Sequence, residues 1–234
     1  MLEETVSAGL SALGIGFDDT VLKRLRIYYD YLSEMNAVMN LTAIKGEEDT
    51  ARLHFTDCAA ILTMADFQDK KVLDMGTGAG FPGMVLKILR PGMDICLMDS
   101  LDKRISFLRN LGDKLGLEGV EYIHMRAEEA PQAYREAYDI VLSRAVARLN
   151  LLAELCLPFV KNGGLFIAMK GPGGKEELDE AAHGIKLLGG KYEKTVSYPI
   201  PGTDRKHNAL LIRKAAPTPG KYPRRWAQMK KQPL

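Results

Sequence analysis

The sequence predicts an α/β fold: a doubly wound, mostly parallel sheet of seven strands with an antiparallel edge strand, helices on both faces, and a helical N-terminal extension. Three observations lead there. Short apolar runs alternate with amphipathic helical stretches between residues 71 and 170, the pattern of parallel strands joined by right-handed crossovers. The first of these runs leads into a glycine-rich loop that opens a helix. The last two runs follow each other through a short connection, Pro199 to Asp204, with no helix between them, so they pair antiparallel at one edge.

Taken in order, Leu2 to Leu13 and Asp18 to Met39 carry apolar residues at helical spacing, with Val21, Leu22, Leu25, Tyr28, Tyr29, Leu32 and Met35 on one face of the second stretch. Asp18 or Asp19 caps it. A third helix is expected over Glu47 to Met64. The strands are expected at Lys71 to Met75, Asp94 to Met98, Val120 to Met125, Tyr138 to Leu142, Gly164 to Met169, Tyr192 to Tyr198 and Asn208 to Arg213. From Ala215 the chain is rich in proline and basic residues and reads as extended or partly mobile. The organisation is a helical extension over 1–66 packed on a core over 67–215, with a basic tail over 216–234.

A chain of 234 residues with 46% hydrophobic content suits one domain. No apolar run approaches the ~20 residues of a membrane span, and Glu3 and Glu4 stand where a signal peptide needs basic residues, so a cytoplasmic protein is expected. Cys58, Cys96 and Cys156 are far apart and lack metal-ligand spacing, so they read as core thiols with no metal site. The net charge of +2 hides an asymmetry. Nine basic residues against Asp204 alone give the last 31 residues +8, leaving −6 for the first 203. A basic end on an acidic body favours a polyanionic partner, although a merely solvated tail fits charge alone as well.

The strongest motif is Val72-Leu73-Asp74-Met75-Gly76-Thr77-Gly78-Ala79-Gly80-Phe81-Pro82-Gly83. Glycines at 76, 78 and 80 let the backbone turn sharply and approach a ligand, and amides at the helix start can hold a carboxylate. Gly78, Gly80 and Gly83 also satisfy the dinucleotide pattern, so the loop alone leaves a nicotinamide cofactor open beside S-adenosylmethionine. Asp74 tilts the choice: a carboxylate ahead of the loop suits a sulfonium and an ammonium group better than a pyrophosphate. Asp99, at the end of the second strand, is placed to accept from ribose hydroxyls, or else to cap the helix from Leu101 to Leu115, a role for which Ser100 competes. Ala127 and Glu128 follow the third strand, where an adenine edge is met, though Glu128 and Glu129 also suit a first helical turn.

Several further elements carry a resemblance: Asn40-Leu41-Thr42, His54 with Asp57, Asp99-Ser100 with Lys103-Arg104, Arg126-Ala127-Glu128-Glu129, Ser143-Arg144-Ala145, Lys170-Gly171, and Gly220-Lys221-Tyr222-Pro223-Arg224-Arg225. With the glycine loop, they make nearly the whole chain similar to the bacterial 16S ribosomal RNA guanine-N7 methyltransferase G family, also called glucose-inhibited division protein B. Cys58 departs from it, since many relatives carry serine after the aspartate. The resemblance implies a Rossmann-like class I S-adenosylmethionine methyltransferase, a monomer, whose cofactor site is lined by Gly76, Phe81, Ala127, Glu128 and Arg144. The implied substrate is one guanine of 16S rRNA in the decoding-region loop of the small ribosomal subunit.

Guanine N7 carries an unprotonated lone pair at neutral pH, so the transfer needs no general base. No catalytic dyad is expected, and Arg144 is the one candidate to touch the reacting groups, bridging the cofactor carboxylate and the RNA or else pairing with a core acid such as Asp139. The expected cofactor contacts are thus Asp74, Gly76, Gly78, Gly80, Phe81, Asp99, Ala127, Glu128 and Arg144. Arg104, Lys170, Arg205, Lys206, His207, Lys221, Arg224 and Arg225 are expected to track phosphates. Three other readings stand beside this one: a nicotinamide-dependent oxidoreductase, a non-catalytic RNA-binding module on the same fold, and a methyltransferase for a small metabolite.

Overall fold

The computed structural model describes residues 1–144 and 147–234, with backbone alone at 174 and 175. Ala145, part of the Ser143-Arg144-Ala145 motif, lies outside the described residues. The helices of the extension are α1 (Leu2–Ala12) and α2 (Asp19–Met39), the latter capped by Asp18, whose side chain accepts from the Val21 amide at 2.9 Å. Of the expected α2 face, Val21, Leu25, Tyr28 and Leu32 are buried, while Leu22, Tyr29 and Met35 pack partly buried against the same core.

The helix expected over Glu47 to Met64 is not uniform. It runs as α3 (Glu47–Thr50), a wider π-helical stretch (Ala51–Thr56), α4 (Asp57–Ala59) and a 3-10 turn (Ala60–Thr63). Apolar spacing does not reveal such a widening, which often accompanies a functional site. Here it carries His54.

The sheet contains β1 (Lys71–Met75), β2 (Asp94–Asp99), β3 (Val120–His124), β4 (Tyr138–Arg144), β5 (Val160–Lys170), β6 (Gly190–Pro199) and β7 (Lys206–Lys214). Their spatial order is β3-β2-β1-β4-β5-β7-β6. The first five are parallel, and β7 runs antiparallel to both its neighbours, inserted one place in from the β6 edge. The connection between β6 and β7 is a tight hairpin, with Ile200 and Thr203 closing it by backbone bonds and Gly202 at φ +76°. The crossovers pass through α5 (Gly83–Leu89), α6 (Asp102–Leu115), α7 (Leu149–Cys156) and α8 (Gly174–Leu187).

Strand alternation divides the core. Val72, Ile95, Leu97, Ile140, Leu142 and Ile167 face α1, α2, α5 and α6, while Leu73, Met75, Cys96, Met98, Val141 and Phe166 face α7, α8 and the tail. Cys58, Cys96 and Cys156 are buried free thiols.

The tail, expected to be extended or partly mobile, is irregular over 215–225 and ends in a short helix. Arg135 donates to the carbonyls of Tyr222, Thr218 and Pro219, Glu136 accepts from the Thr218 amide, and α9 (Trp226–Lys231) buries Met229. Guanidinium donors to backbone carbonyls tie this segment to the core, a contact that composition alone does not show.

Candidate active site

The order of the sheet reverses between β1 and β4, and loops at the carboxyl ends of such strands diverge to leave a crevice. A cavity of about 510 Å³ opens there, among the ends of β1, β2 and β4 and the turn after β3.

Its floor is the glycine loop. Gly76 and Thr77 both donate to the Met98 carbonyl, at 2.8 and 3.1 Å, stitching the loop to β2. Gly78, at φ +62°, donates to Asp99 Oδ2 at 3.0 Å. A Cβ at Gly78 would meet only the Gly76 carbonyl, at 3.9 Å, so this residue leaves open space on the cavity side.

Two residues expected to touch cofactor point elsewhere. Asp74 is fully buried and away from the cavity: its Oδ2 accepts from Thr77 Oγ1 at 2.7 Å and from the Gly83 amide at 2.8 Å. The carboxylate at the start of α5 is therefore the chain's own, not a ligand's, and burial raises its pKa to about 6. Gly80, at φ +100°, packs under α2, where a Cβ would lie 2.6 Å from Tyr28 Oη and 2.8 Å from Met84 Cγ. The Tyr28 hydroxyl donates to the Ala79 carbonyl, which ties the extension directly to the loop.

Asp99 lines the cavity and also organises its own surroundings. Its Oδ1 accepts from the Leu101 amide and its Oδ2 from Gly78 and from Arg104 Nη1 at 3.2 Å. Three of the roughly four lone-pair sites of the carboxylate are used, leaving room for another donor. Ala127 and Glu128 line the wall from a 3-10 turn after β3.

The opposite wall is a network around Arg144 and Phe81. Arg144 does not pair with Asp139, which holds Lys161 and the Lys71 amide instead. It reaches Asp57 Oδ2 at 2.9 Å, the Leu53 carbonyl at 3.1 Å and His54 Nδ1. Asp57, 1% exposed, also takes the Tyr198 hydroxyl at 3.0 Å and His207 Nδ1 at 2.9 Å on its other oxygen. A guanidinium only donates, so His54 Nδ1 is an acceptor and its Nε2 carries the proton given to Thr42 Oγ1 at 2.8 Å. Burial, with the Arg144 charge beside it, lowers the His54 pKa to about 2. Its ring stacks on Phe81 at 4.0 Å, and Tyr28 stacks beyond, at 5.3 Å.

Among the residues expected to track phosphates, three are engaged inside the protein. Lys170 is 8% exposed and pairs with Glu177 at 2.8 Å, His207 serves Asp57, and Arg224 is bound to the buried Glu154 at 2.6 Å. Arg104 lies on the cavity rim but is held by Asp99. Arg205, Lys206, Lys221 and Arg225 are exposed.

Sequence reasoning missed the roles of Tyr28, Thr42 and Trp226. Tyr28 was legible only as an apolar face position, and Trp226, which lines the cavity from α9, sits in a stretch whose charge dominates its pattern.

Sheet, glycine loop and cavity together define a Rossmann-like class I methyltransferase that uses S-adenosylmethionine. The family model for rRNA small subunit methyltransferase G matches residues 21–206, and the chain belongs to that family. It is 42% identical over 234 residues to ribosomal RNA small subunit methyltransferase G of Clostridium tetani, covering 99% of this chain and 98% of that one. The protein of the same name from Lachnoclostridium phytofermentans is 45% identical over 233 residues, covering 98% and 96%. Among solved structures, a SAM-dependent methyltransferase from Aquifex aeolicus superposes with a TM-score of 0.54 at 19% identity, over 71% of this chain and 94% of that one. TYW2 of M. jannaschii in complex with AdoMet gives 0.51 at 13% identity, over 67% and 73%. These two likenesses concern the fold. Membership of the family removes the oxidoreductase that the glycine pattern alone left open.

Proposed function

We propose that this chain methylates N7 of a single guanine in 16S rRNA of the small ribosomal subunit, acting in the cytoplasm as a monomer without a metal. The observation that carries the site is the cavity between the ends of β1, β2 and β4, floored by a glycine whose missing Cβ leaves room for a ligand. The family carries the substrate.

In this reading the Gly76 to Gly78 backbone and Arg144 take the methionine end of the cofactor, Asp99 the ribose, and Ala127 with Glu128 the adenine. Asp74 and Gly80 support the loop from beneath. S-adenosylmethionine, when bound, supplies a methyl carbon made electrophilic by its sulfonium. The protein's own task is orientation, because N7 needs no base, and positioning of this kind contributes roughly 7–11 kcal/mol in favourable cases. Phe81, fixed between His54 and Tyr28, and Arg144, held by Asp57 and His54, give the cavity a rigid wall against which a base is placed. Arg205, Lys206, Lys221 and Arg225 supply exposed positive charge for phosphates.

The test is transfer of radiolabel from S-adenosylmethionine to small ribosomal subunits from cells lacking the endogenous enzyme, with the labelled base mapped by N7-specific strand cleavage. Label at one guanine is expected. Cofactor binding with no label on any RNA would overturn the substrate while leaving the cofactor site intact.

A further inference from the structure

We propose that Trp226, carried by the C-terminal tail, is a cofactor-binding residue that forms an aromatic wall for the adenine, so that the tail completes the cofactor site. The proposal rests on the reading of the cavity given above, with adenine beside Ala127. Trp226 lines that cavity together with Met125, Ala127 and Leu155. It is half-buried and packs in the same apolar cluster as Ala127, Leu155 and Met229.

Its position is set by a buried ion pair. Glu154 is fully buried, and Arg224 answers it three times: its amide and Nε donate to Oε1 at 2.8 Å each, and its Nη2 donates to Oε2 at 2.6 Å. Leu155 follows Glu154 and Trp226 lies two residues after Arg224, so one ion pair brings both cavity-lining residues to the same wall. Met229, one helical turn beyond Trp226, is buried, which fixes α9 on the core from its other end. A charge pair this deeply buried holds a segment only when both partners are present and fully hydrogen-bonded, as they are here. Packed partly buried against this cluster, with the Lys230 ammonium 5.8 Å from its ring centroid, the indole brings an aromatic ring to the cavity wall. A purine base is the part of the cofactor that such a ring recognises, since every base has a π face.

Trp226 is the only tryptophan, so its fluorescence reports on this wall alone. Binding of S-adenosylhomocysteine is to be measured by calorimetry and by indole emission in the full chain and in Trp226→Ala and Trp226→Phe, with circular dichroism confirming that each is folded. In the unaltered chain, binding is expected to change the indole emission. Trp226→Ala is expected to weaken binding about tenfold or more, and Trp226→Phe to restore most of the loss. Binding by the unaltered chain with unchanged emission, and an equal affinity in Trp226→Ala, would overturn the role of Trp226 while leaving the cavity as the cofactor site. No binding by the unaltered chain would overturn the reading of the cavity, and this proposal with it.

Discussion

The Arg144 guanidinium donates to His54 Nδ1 while its other terminal nitrogen holds Asp57 at 2.9 Å. One side chain at the end of β4 thus fixes the tautomer of a histidine and pairs with a buried aspartate on the neighbouring helical segment. Removing it leaves Asp57, which is 1% exposed, with the Tyr198 hydroxyl and His207 on one oxygen and without the guanidinium on the other. Arg144→Ala is therefore expected to lower the unfolding free energy by about 3–5 kcal/mol, read by urea denaturation, as well as to abolish methyl transfer. Unchanged stability together with normal turnover would remove Arg144 from both roles.

Opposite pH slopes follow from His54 and Asp74. His54 has its folded pKa lowered from 6.5 to about 2, so below 6.5 the unfolded chain binds a proton that the folded one refuses, and stability falls as pH falls. Asp74 has its folded pKa raised from 3.8 to about 6, so between those values the folded chain binds the extra proton and stability rises as pH falls. His54→Gln deletes the first slope. The stability gap between the unaltered chain and this variant should narrow by about 1.4 kcal/mol per pH unit below 6.5, measured by denaturation at pH 7.5 and pH 5.5.

Gly78 and Gly80 belong to one motif and serve different ends. Alanine at Gly80 adds a clash with Tyr28 and Met84 to a backbone at φ +100°, and is expected to destabilise the fold by about 2–4 kcal/mol. At Gly78 the Cβ meets open cavity, so the stability cost is that of the left-handed backbone, about 1–2 kcal/mol, and the larger loss falls on cofactor affinity. Thermal unfolding and S-adenosylhomocysteine titration of the two variants separate these effects. Equal losses of affinity and stability in both would contradict the assignment.

The same pair shows how far the sequence could be read. Glycines at 76, 78 and 80 announce a tight turn at a strand end, and the structure puts that turn at the reversal of the sheet. Which glycine faces the cavity and which faces α2 depends on Tyr28, more than fifty residues earlier in the chain, and no local pattern encodes that contact. Asp74 misled for a related reason. A carboxylate ahead of the loop suits a cation electrostatically, but its Oδ2 is taken by the first amide of α5 and by the Thr77 hydroxyl. Charge misled again at Arg224 in the tail and at Lys170 at the end of β5, which read as free cations until Glu154 and Glu177 were brought beside them by packing.

Thr42 completes the line from Arg144 through His54. Its Oγ1 accepts from His54 Nε2 and from the Ile44 amide at 3.1 Å, which occupies both lone pairs and leaves the hydroxyl proton to donate within the cavity it lines. Thr42→Val keeps the shape and loses the donor. Methyl transfer is expected to fall about tenfold with cofactor affinity unchanged, and Thr42→Ser to restore it. An equal loss in the serine variant would assign Thr42 to packing instead.

The exposed and engaged cations should separate in their salt dependence. Each phosphate contact adds roughly 0.9 to the slope of log affinity against log salt on a duplex and roughly 0.7 on a single strand. Arg205, Lys206, Lys221 and Arg225 are exposed, so replacing any one by alanine should reduce the slope by about that amount and weaken binding to small subunits without altering S-adenosylhomocysteine affinity. Lys170 already faces Glu177 and the Ala147 carbonyl, and its positive charge is spent inside the protein. Lys170→Met should therefore leave the slope unchanged and register in thermal stability. A slope change in Lys170→Met equal to that in Arg205→Ala would mean that the Glu177 pair opens on RNA, and that charge buried in the free protein is exchanged for phosphate in the complex.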